Sequence, residues 1–379
     1  MHRNLHYTYI IISRQSFASM LDEALEQLPC AYTPIRLVFF VTIFSNSEYT
    51  ECLTLIQNKV LAKFAAQAPV VSLVAQATLD DAGLIVEVHE MEILATESLC
   101  YRQLNGVAYI TLQDAAVKRL FLGGILSKDL ETSIAEQSKE VFDTIKEIME
   151  HEAMPVNSIV RQWNYIEKIT AHDEQDRQHY QALNDARSIF YDPAEWIHGF
   201  PAATGIGTQW GGVMIDLNAT LGYTAETVII PIDNPLQIAA HAYSQTLLLG
   251  EPDKQLHCKT TPKFERAKQV TQCGDGVLYV SGTAAIRGEQ SLLNVGIEEQ
   301  TRITIENINV LIGNHPLCAI RVYLKNADEL QPAKAVIEEL CPGLPAGYLL
   351  ADVCREELLI EIEGISKCSE AYFTKSLTR

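Results

Sequence analysis

The chain has 379 residues, room for two or three domains. Its composition, 47% hydrophobic and 20% charged, is globular and excludes a fibrous or disordered chain. With 29 basic against 48 acidic side chains the net charge is −19, which disfavours nucleic-acid backbones and anionic membranes; an anionic ligand needs a pocket with arginines of its own.

The start, MHRNLHYTYIIISRQ, has one short apolar run and no region like a cleavage site. No stretch approaches the roughly 20 apolar residues of a membrane span. RLVFFVTIF (36–44) and LIVEVHEM (84–91) read as strands, and Cys52–Phe64 reads as a helix. Residues 1–104 are expected to form a degenerate unit or an accessory layer.

Residues 118–217 and 277–363 repeat one order of elements. KRLFLGGI and VLYVSGTAAI open the two repeats as strands ending at glycine turns. The helices IAEQSKEVFDTIKEIM and IEEQTRITIENINVLI follow, each with a Glu-Gln step at its start: Glu136-Gln137 and Glu299-Gln300. Val141, Phe142, Ile145, Ile148 and Met149 recur at helical spacing in the first, as do Ile305, Ile308, Leu311 and Ile312 in the second. SIVRQWNYI and CAIRVYLK place Arg161 in the position of Arg321. The closing strands GVMIDLNA and LLIEIEG match Asp216 with Glu361. The expected fold is α+β, with mixed sheets and helices packed on one face. The expected divisions are 1–104, 105–250 and 251–379.

Candidate chemistry is sparse. TGIGTQWGG (204–212) fits neither GxGxxG nor a P-loop, and it reads as a tight turn. The ten histidines offer no HExxH, so no metal site is expected. There is no GxSxG. Nine cysteines, odd in number and without CxxC, read as reduced thiols of a cytoplasmic protein. Tyr180 and Arg187 stand seven apart in QHYQALNDAR, on one helical face. Together they can hold a carboxylate, or simply face solvent. Arg161 and Arg321 sit in strands among apolar neighbours, in either a buried ion pair or a ligand site. In ELLIEIEG the strict alternation puts Leu359, Glu361 and Glu363 on one face. That face is either wet, or it closes a pocket and raises one glutamate's pKa for general-acid work. Cys354, seven residues earlier, reads on its own as a small buried hydrophobe.

The segment LYVSGTAAI…EEQTRITIENINVLI…IRVYLK…LLIEIEG resembles the RidA/YjgF family, and the earlier repeat resembles it more weakly. Most of 155–365 resembles the chorismatases more closely. Seven motifs in order carry that likeness: RQWNYI, HYQALNDAR, FPAATGIG, NPLQIAAHAY, PKFERA, VSGTAAI and DVCREELLIEIEG. The resemblance implies tandem RidA-like units and cleavage of the enolpyruvyl ether of chorismate, with no metal or organic cofactor. It implies pyruvate plus either 3-hydroxybenzoate or a dihydroxycyclohexadiene carboxylate. It makes Tyr180, Arg187, Tyr243 and Arg266 binders of substrate carboxylates and hydroxyls; Arg161, Arg321 and Ala284 are further candidate substrate binders. Glu361 is the implied acid. A cysteine at the position of Cys354 resembles the 3-hydroxybenzoate-forming type. RidA relatives are trimers, but repeats in one chain can fill the trimer positions, so a monomer or a trimer is expected.

Two departures stand out. The family's Tyr-Pro is Tyr243-Ser244 here, followed by a longer polar stretch, about 245–261. The arginine that imine-hydrolysing RidA proteins carry after Pro-Ala is replaced by Gly347, which counts against imine hydrolysis. A non-catalytic small-molecule binder on the same scaffold is the alternative of a different class.

Overall fold

The structure, a computed structural model, describes residues 5–369 apart from Cys30, Gln175, Leu247 and 249–258. Much of the polar stretch after Tyr243 therefore lies outside the described residues.

The first sheet holds β1 (Leu5–Ser13), β2 (Thr33–Val41), β3 (Val70–Ala75) and, beyond the short β4 (Ala77–Thr78), β5 (Ala82–Met91); its order is β1-β5-β2-β3. Helices α1 (Phe17–Glu26) and α2 (Asn46–Phe64) connect its strands. The second sheet begins with β6 (Ser98–Leu104), β7 (Val107–Gln113) and β8 (Val117–Leu126). Then come α3 (Ile134–His151), β9 (Ile159–Glu167), α4 (His179–Tyr191), β10 (Ala202–Thr208) and β11 (Val213–Gly222). The third contains β12 (Thr227–Ile232), β13 (Ala267–Gln272) and β14 (Asp275–Thr283), with the small hairpin β15 (Ile286–Arg287) and β16 (Gln290–Ser291) at its side. It continues with α5 (Ile297–Ile312), β17 (Leu317–Leu324), α6 (Leu330–Leu340), β18 (Ala346–Leu350) and β19 (Ile360–Ser369).

Each sheet contains the same four-strand order. β8-β11-β9-β10 and β14-β19-β17-β18 reproduce β1-β5-β2-β3. We read the three sheets as three units. β6 pairs with β7, and β12 pairs with β13. The main strands pass from one sheet to the next at 92–97 and 223–226, while the short β4 joins the third sheet beside β18. Antiparallel pairing to strands that follow draws β6 and β12 forward into the next sheet.

The helices cover one face of each sheet. Ser133 and Glu136 form a capping box at the start of α3. Val141, Phe142, Ile145, Ile148 and Met149 are buried against Leu120, Leu122, Ile215 and Leu217 of the sheet. Each such side chain contributes about 1.5–3 kcal/mol through burial. The helix-start glutamines do matching work. Gln137 Oε1 accepts from the Val213 N–H at 3.0 Å, and Gln300 Oε1 accepts from the Leu359 N–H at 2.9 Å. Both fix the entry to the strand that closes the unit.

The other faces meet in a shared interior. Register places Arg36, Arg161 and Arg321 at equivalent positions, opposite His89, Asn218 and Glu363. Each arginine reaches into the next unit. Arg36 Nη2 donates to the Leu122 and Leu217 carbonyls and to Asn218 Oδ1. Arg161 donates to Glu363 at 2.6 Å. Arg321 grips Glu87 with two bonds of 2.5 and 2.6 Å. All three guanidiniums lie against the Trp163 indole, at 5.1, 4.5 and 5.6 Å from a ring centroid. Three units of one chain thus close a cycle around one tryptophan. Among the described residues no helix is long and apolar enough to cross a membrane.

Candidate functional site

The same register that aligns the arginines aligns three acids: Glu87 opposite Val38, Asp216 opposite Trp163 and Glu361 opposite Tyr323. Their surroundings differ. Glu87 is tied to Arg321 and His89; burial opposes its charge, but Arg321 holds its carboxyl far below the usual range. Asp216 accepts from Ser72 Oγ and the Gly124 N–H, both at 2.7 Å. Glu361, 5% exposed, has no side-chain hydrogen-bond partner among the described residues. It faces a cavity of 590 Å³ between the second and third units, a size typical of small-molecule sites.

The cavity wall follows from the topology. β10 lies beside the third sheet: the Ala203 N–H donates to Ser281 Oγ at 2.9 Å, and Ala202 bridges to Glu265. TGIGTQWGG is therefore not a turn throughout. Its first five residues end β10, and only the stretch from Gln209, with Gly211 and Gly212 at positive φ, turns. Glycine is needed for close approach. A Cβ on Gly205 would stand 2.9 Å from the Tyr180 ring, and one on Gly282 would collide with Glu361 Oε1. Gly282→Ala is expected to displace the acid and lower kcat by about 10²-fold, since small misplacements cost that much. Steady-state kinetics on a variant that keeps its thermal transition checks this.

Tyr180 and Arg187 do share a face of α4, and that face is not solvated. Arg187 is 2% exposed and donates to Asn184 Oδ1 within the pocket wall. On the opposite side Arg266 Nη2 donates to the Tyr243 hydroxyl at 2.6 Å and to the Ile238 carbonyl at 2.8 Å. Neither arginine has a carboxylate partner among the described residues, and the Nε of each is buried and unpartnered. Two unneutralised buried cations, in a chain of charge −19, call for an anionic ligand. Ser244, where the resemblance leads one to expect proline, uses its N–H and hydroxyl to bind Glu289 at 2.8 and 2.7 Å. Proline has no N–H for the first of these bonds.

Burial first, and the Glu363 charge second, push the Glu361 carboxyl up to about 8, against the pull of Arg161, Arg266 and Arg355. Glu361 is thus a neutral acid near pH 7. Burial and the neighbouring Glu361 push the Cys354 thiol up to about 12, so it is a neutral thiol and not a thiolate nucleophile. Burial raises the Tyr180 phenol as well, leaving it a donor.

Of the residues singled out in the sequence, Glu361, Cys354, Tyr180, Arg187, Tyr243, Arg266 and Ala284 all line this cavity. Arg161 and Arg321 do not, which corrects their place among the substrate binders. Glu363 takes up one through its Nη2 and Glu87 grips the other with two bonds, so both charges are held in buried ion pairs. Sequence reasoning missed Asn184, Gly282 and Arg355. Asn184 is one turn from Tyr180 on the same face, a signal that was available. Gly282 and Arg355 lie inside two of the quoted motifs, but their contacts are long-range.

Comparison with known proteins agrees with this geometry. Residues 102–219 match the family described as chorismatase FkbO/Hyg5-like, N-terminal. A 3-hydroxybenzoate synthase of Streptomyces hygroscopicus is 28% identical over 61% of this chain and 69% of its own. A chorismatase of Streptomyces rapamycinicus is 28% identical over 55% of this chain and 64% of its own. A crystal structure of a chorismatase shares the fold, with a TM-score of 0.69 and 19% identity over 97% of this chain and 99% of that one. Matched segment, relatives and architecture agree: this chain is similar to the chorismatases in sequence and in fold.

Proposed function

We propose that the protein cleaves the enolpyruvyl ether of chorismate, giving pyruvate and 3-hydroxybenzoate. One observation carries the reading: a buried, neutral, unpartnered glutamate faces a cavity that also holds two arginines without carboxylate partners. Chorismate is a dicarboxylate whose enol ether reacts by protonation at carbon. Arg187, with the Tyr180 hydroxyl, holds one carboxylate; Arg266, with Tyr243, holds the other.

Glu361 donates its proton to the enolpyruvyl methylene and becomes a carboxylate. The positive charge develops on the ether carbon, stabilised by the oxygen and by the carboxylate just formed. The neighbouring ring hydroxyl attacks that carbon. Chorismate has the same atoms as pyruvate plus 3-hydroxybenzoate, so this route consumes no water. The hydroxyl loses its proton in this attack. The bond from that carbon to the original ether oxygen breaks, leaving that oxygen on the ring, where it takes up a proton. The bond from the ring to the attacking oxygen breaks, so that oxygen leaves with pyruvate. Loss of the proton on the carbon that bears the phenol oxygen makes the ring aromatic, with two protons taken up and two released. Attack by water on the same centre instead gives the dihydroxycyclohexadiene carboxylate.

Cys354 takes part in this choice as a neutral thiol beside Glu361 and Tyr180. Its bulk keeps water from the cationic carbon. Cys354→Ala is expected to move the product ratio toward the dihydrodiol while pyruvate release continues; chromatography of the products checks it, and an unchanged ratio contradicts the role. The overall reading is tested by following pyruvate release from chorismate.

The site is complete within one chain, which favours a monomer over a trimer. A cytoplasmic location fits the free thiols of Cys52, Cys100, Cys318, Cys341, Cys354 and Cys368.

A further inference from the structure

Glu363 lies two residues beyond Glu361 on the same strand face, 4% exposed, and takes no part in the chemistry above. Every group that meets it is a donor. Arg161 Nη2 donates at 2.6 Å, Trp163 Nε1 at 2.9 Å, and Arg321 Nη1 approaches to 3.2 Å. Thr204 supplies the fourth contact. Its hydroxyl accepts from Arg161 at 2.8 Å and from the Gly282 N–H at 3.0 Å. Both lone pairs are then in use, so its one proton points at Glu363. Glu363 therefore acts only as an acceptor, a carboxylate fixed from four sides.

This cluster stands directly behind the acid. The Gly282 N–H that Thr204 holds belongs to the glycine on which Glu361 Oε1 rests. The charged and titratable groups facing Glu361 come from several elements. Glu363 is on its own strand and Arg161 on β9; Arg266 and Arg355 stand at the pocket wall; Tyr180 and Cys354 lie opposite. Three cations favour loss of the Glu361 proton, and Glu363 is the negative charge that opposes them.

We propose that Glu363 is the positioning residue of the general acid: fixed from four sides, it stands as a negative charge directly behind Glu361 in a pocket furnished with arginines, and its bond to Thr204 sets the strand on which Glu361 rests. The proposal rests on the assignment of Glu361 as the acid. The arginines that bind the dianion also pull the acid toward ionisation, against its burial. A second, buried carboxylate resolves that conflict without touching substrate.

The test is the pH profile of kcat. Glu363→Gln is expected to move the alkaline limb down by about one pH unit or more, with KM within about twofold of wild type and kcat at pH 6 largely kept. Glu363→Asp, which keeps the charge, should restore the limb. A uniform loss at every pH, or an unmoved limb, overturns the proposal. Glu363→Gln also leaves Arg161 and Arg321 short of a counter-charge. If it does not fold, Arg161→Gln and the double variant Arg161→Gln/Glu363→Gln decide: Arg161 is absent from both, so the limb of the double variant must lie below that of the single, and equal limbs overturn the proposal. The infrared carboxyl band that Glu361→Gln abolishes can be titrated in substrate-free protein. Its midpoint must move with the same variants. Failure to turn over chorismate would therefore sink the proposed function and leave this titration to judge Glu363.

Discussion

Glu361→Gln lowers kcat for pyruvate release by about a hundred- to ten-thousandfold, the range that a positioned general acid contributes. The amide keeps the shape and can still hydrogen-bond, but it has no proton to transfer to carbon. Chorismate still binds, because Arg187 and Arg266 are untouched. The wild-type enzyme works in the protonated form, so its kcat falls as pH rises through about 8. The bound dianion adds like charge and moves that limb upward in the complex. Stability follows the same group. Its pKa is raised on folding, so its contribution is full below the ordinary carboxyl range and is lost as pH rises through about 8. Above that pH the wild type carries a buried charge that the glutamine variant lacks. Glu361→Gln should therefore melt higher than wild type at pH 9 and about equally at acid pH. Thermal scans at both pH values check the sign, independently of turnover.

Arg187→Ala and Arg266→Ala each weaken substrate binding by about 1.5–3 kcal/mol, the worth of a charge-assisted bond. That is roughly a 10- to 150-fold loss in kcat/KM for each. The argument is the missing partner. A guanidinium 2% or 4% exposed, with no carboxylate beside it, is costly in the free protein and is repaid on binding an anion. The substrate-free variants should accordingly be no less stable than wild type apart from lost packing. The same truncation at Arg321, whose partner Glu87 is permanent, should strongly destabilise the fold. Kinetics and melting curves on the three variants separate ligand-binding from structural arginines. Unchanged kcat/KM in both Arg187→Ala and Arg266→Ala would contradict the assignment.

The repeat was legible because its signals are local. Matching Arg161 with Arg321 and Asp216 with Glu361 needs only strand patterns and the Glu-Gln step, and the register agrees with both matches. The fates of these residues were not legible. The partner of Arg161 is 202 positions away and that of Arg321 is 234 away, in different units, so no spacing rule reaches them. Alternation in ELLIEIEG also reads as one wet face, because a strand pattern cannot tell solvent from an interior lined by charged groups. The polar face of β19 turns inward, where arginines of β9 and β17 meet it. Gly205 likewise passed for a turn residue. Its purpose is the approach of the Tyr180 ring from α4, a contact between elements.

The most direct test of the central claim is to incubate the protein with chorismate and quantify pyruvate together with the aromatic product by chromatography. The account predicts pyruvate and 3-hydroxybenzoate in equal amounts, with both lost together in Glu361→Gln. Absence of pyruvate from the wild-type reaction, or pyruvate release by Glu361→Gln at the wild-type rate, would contradict it.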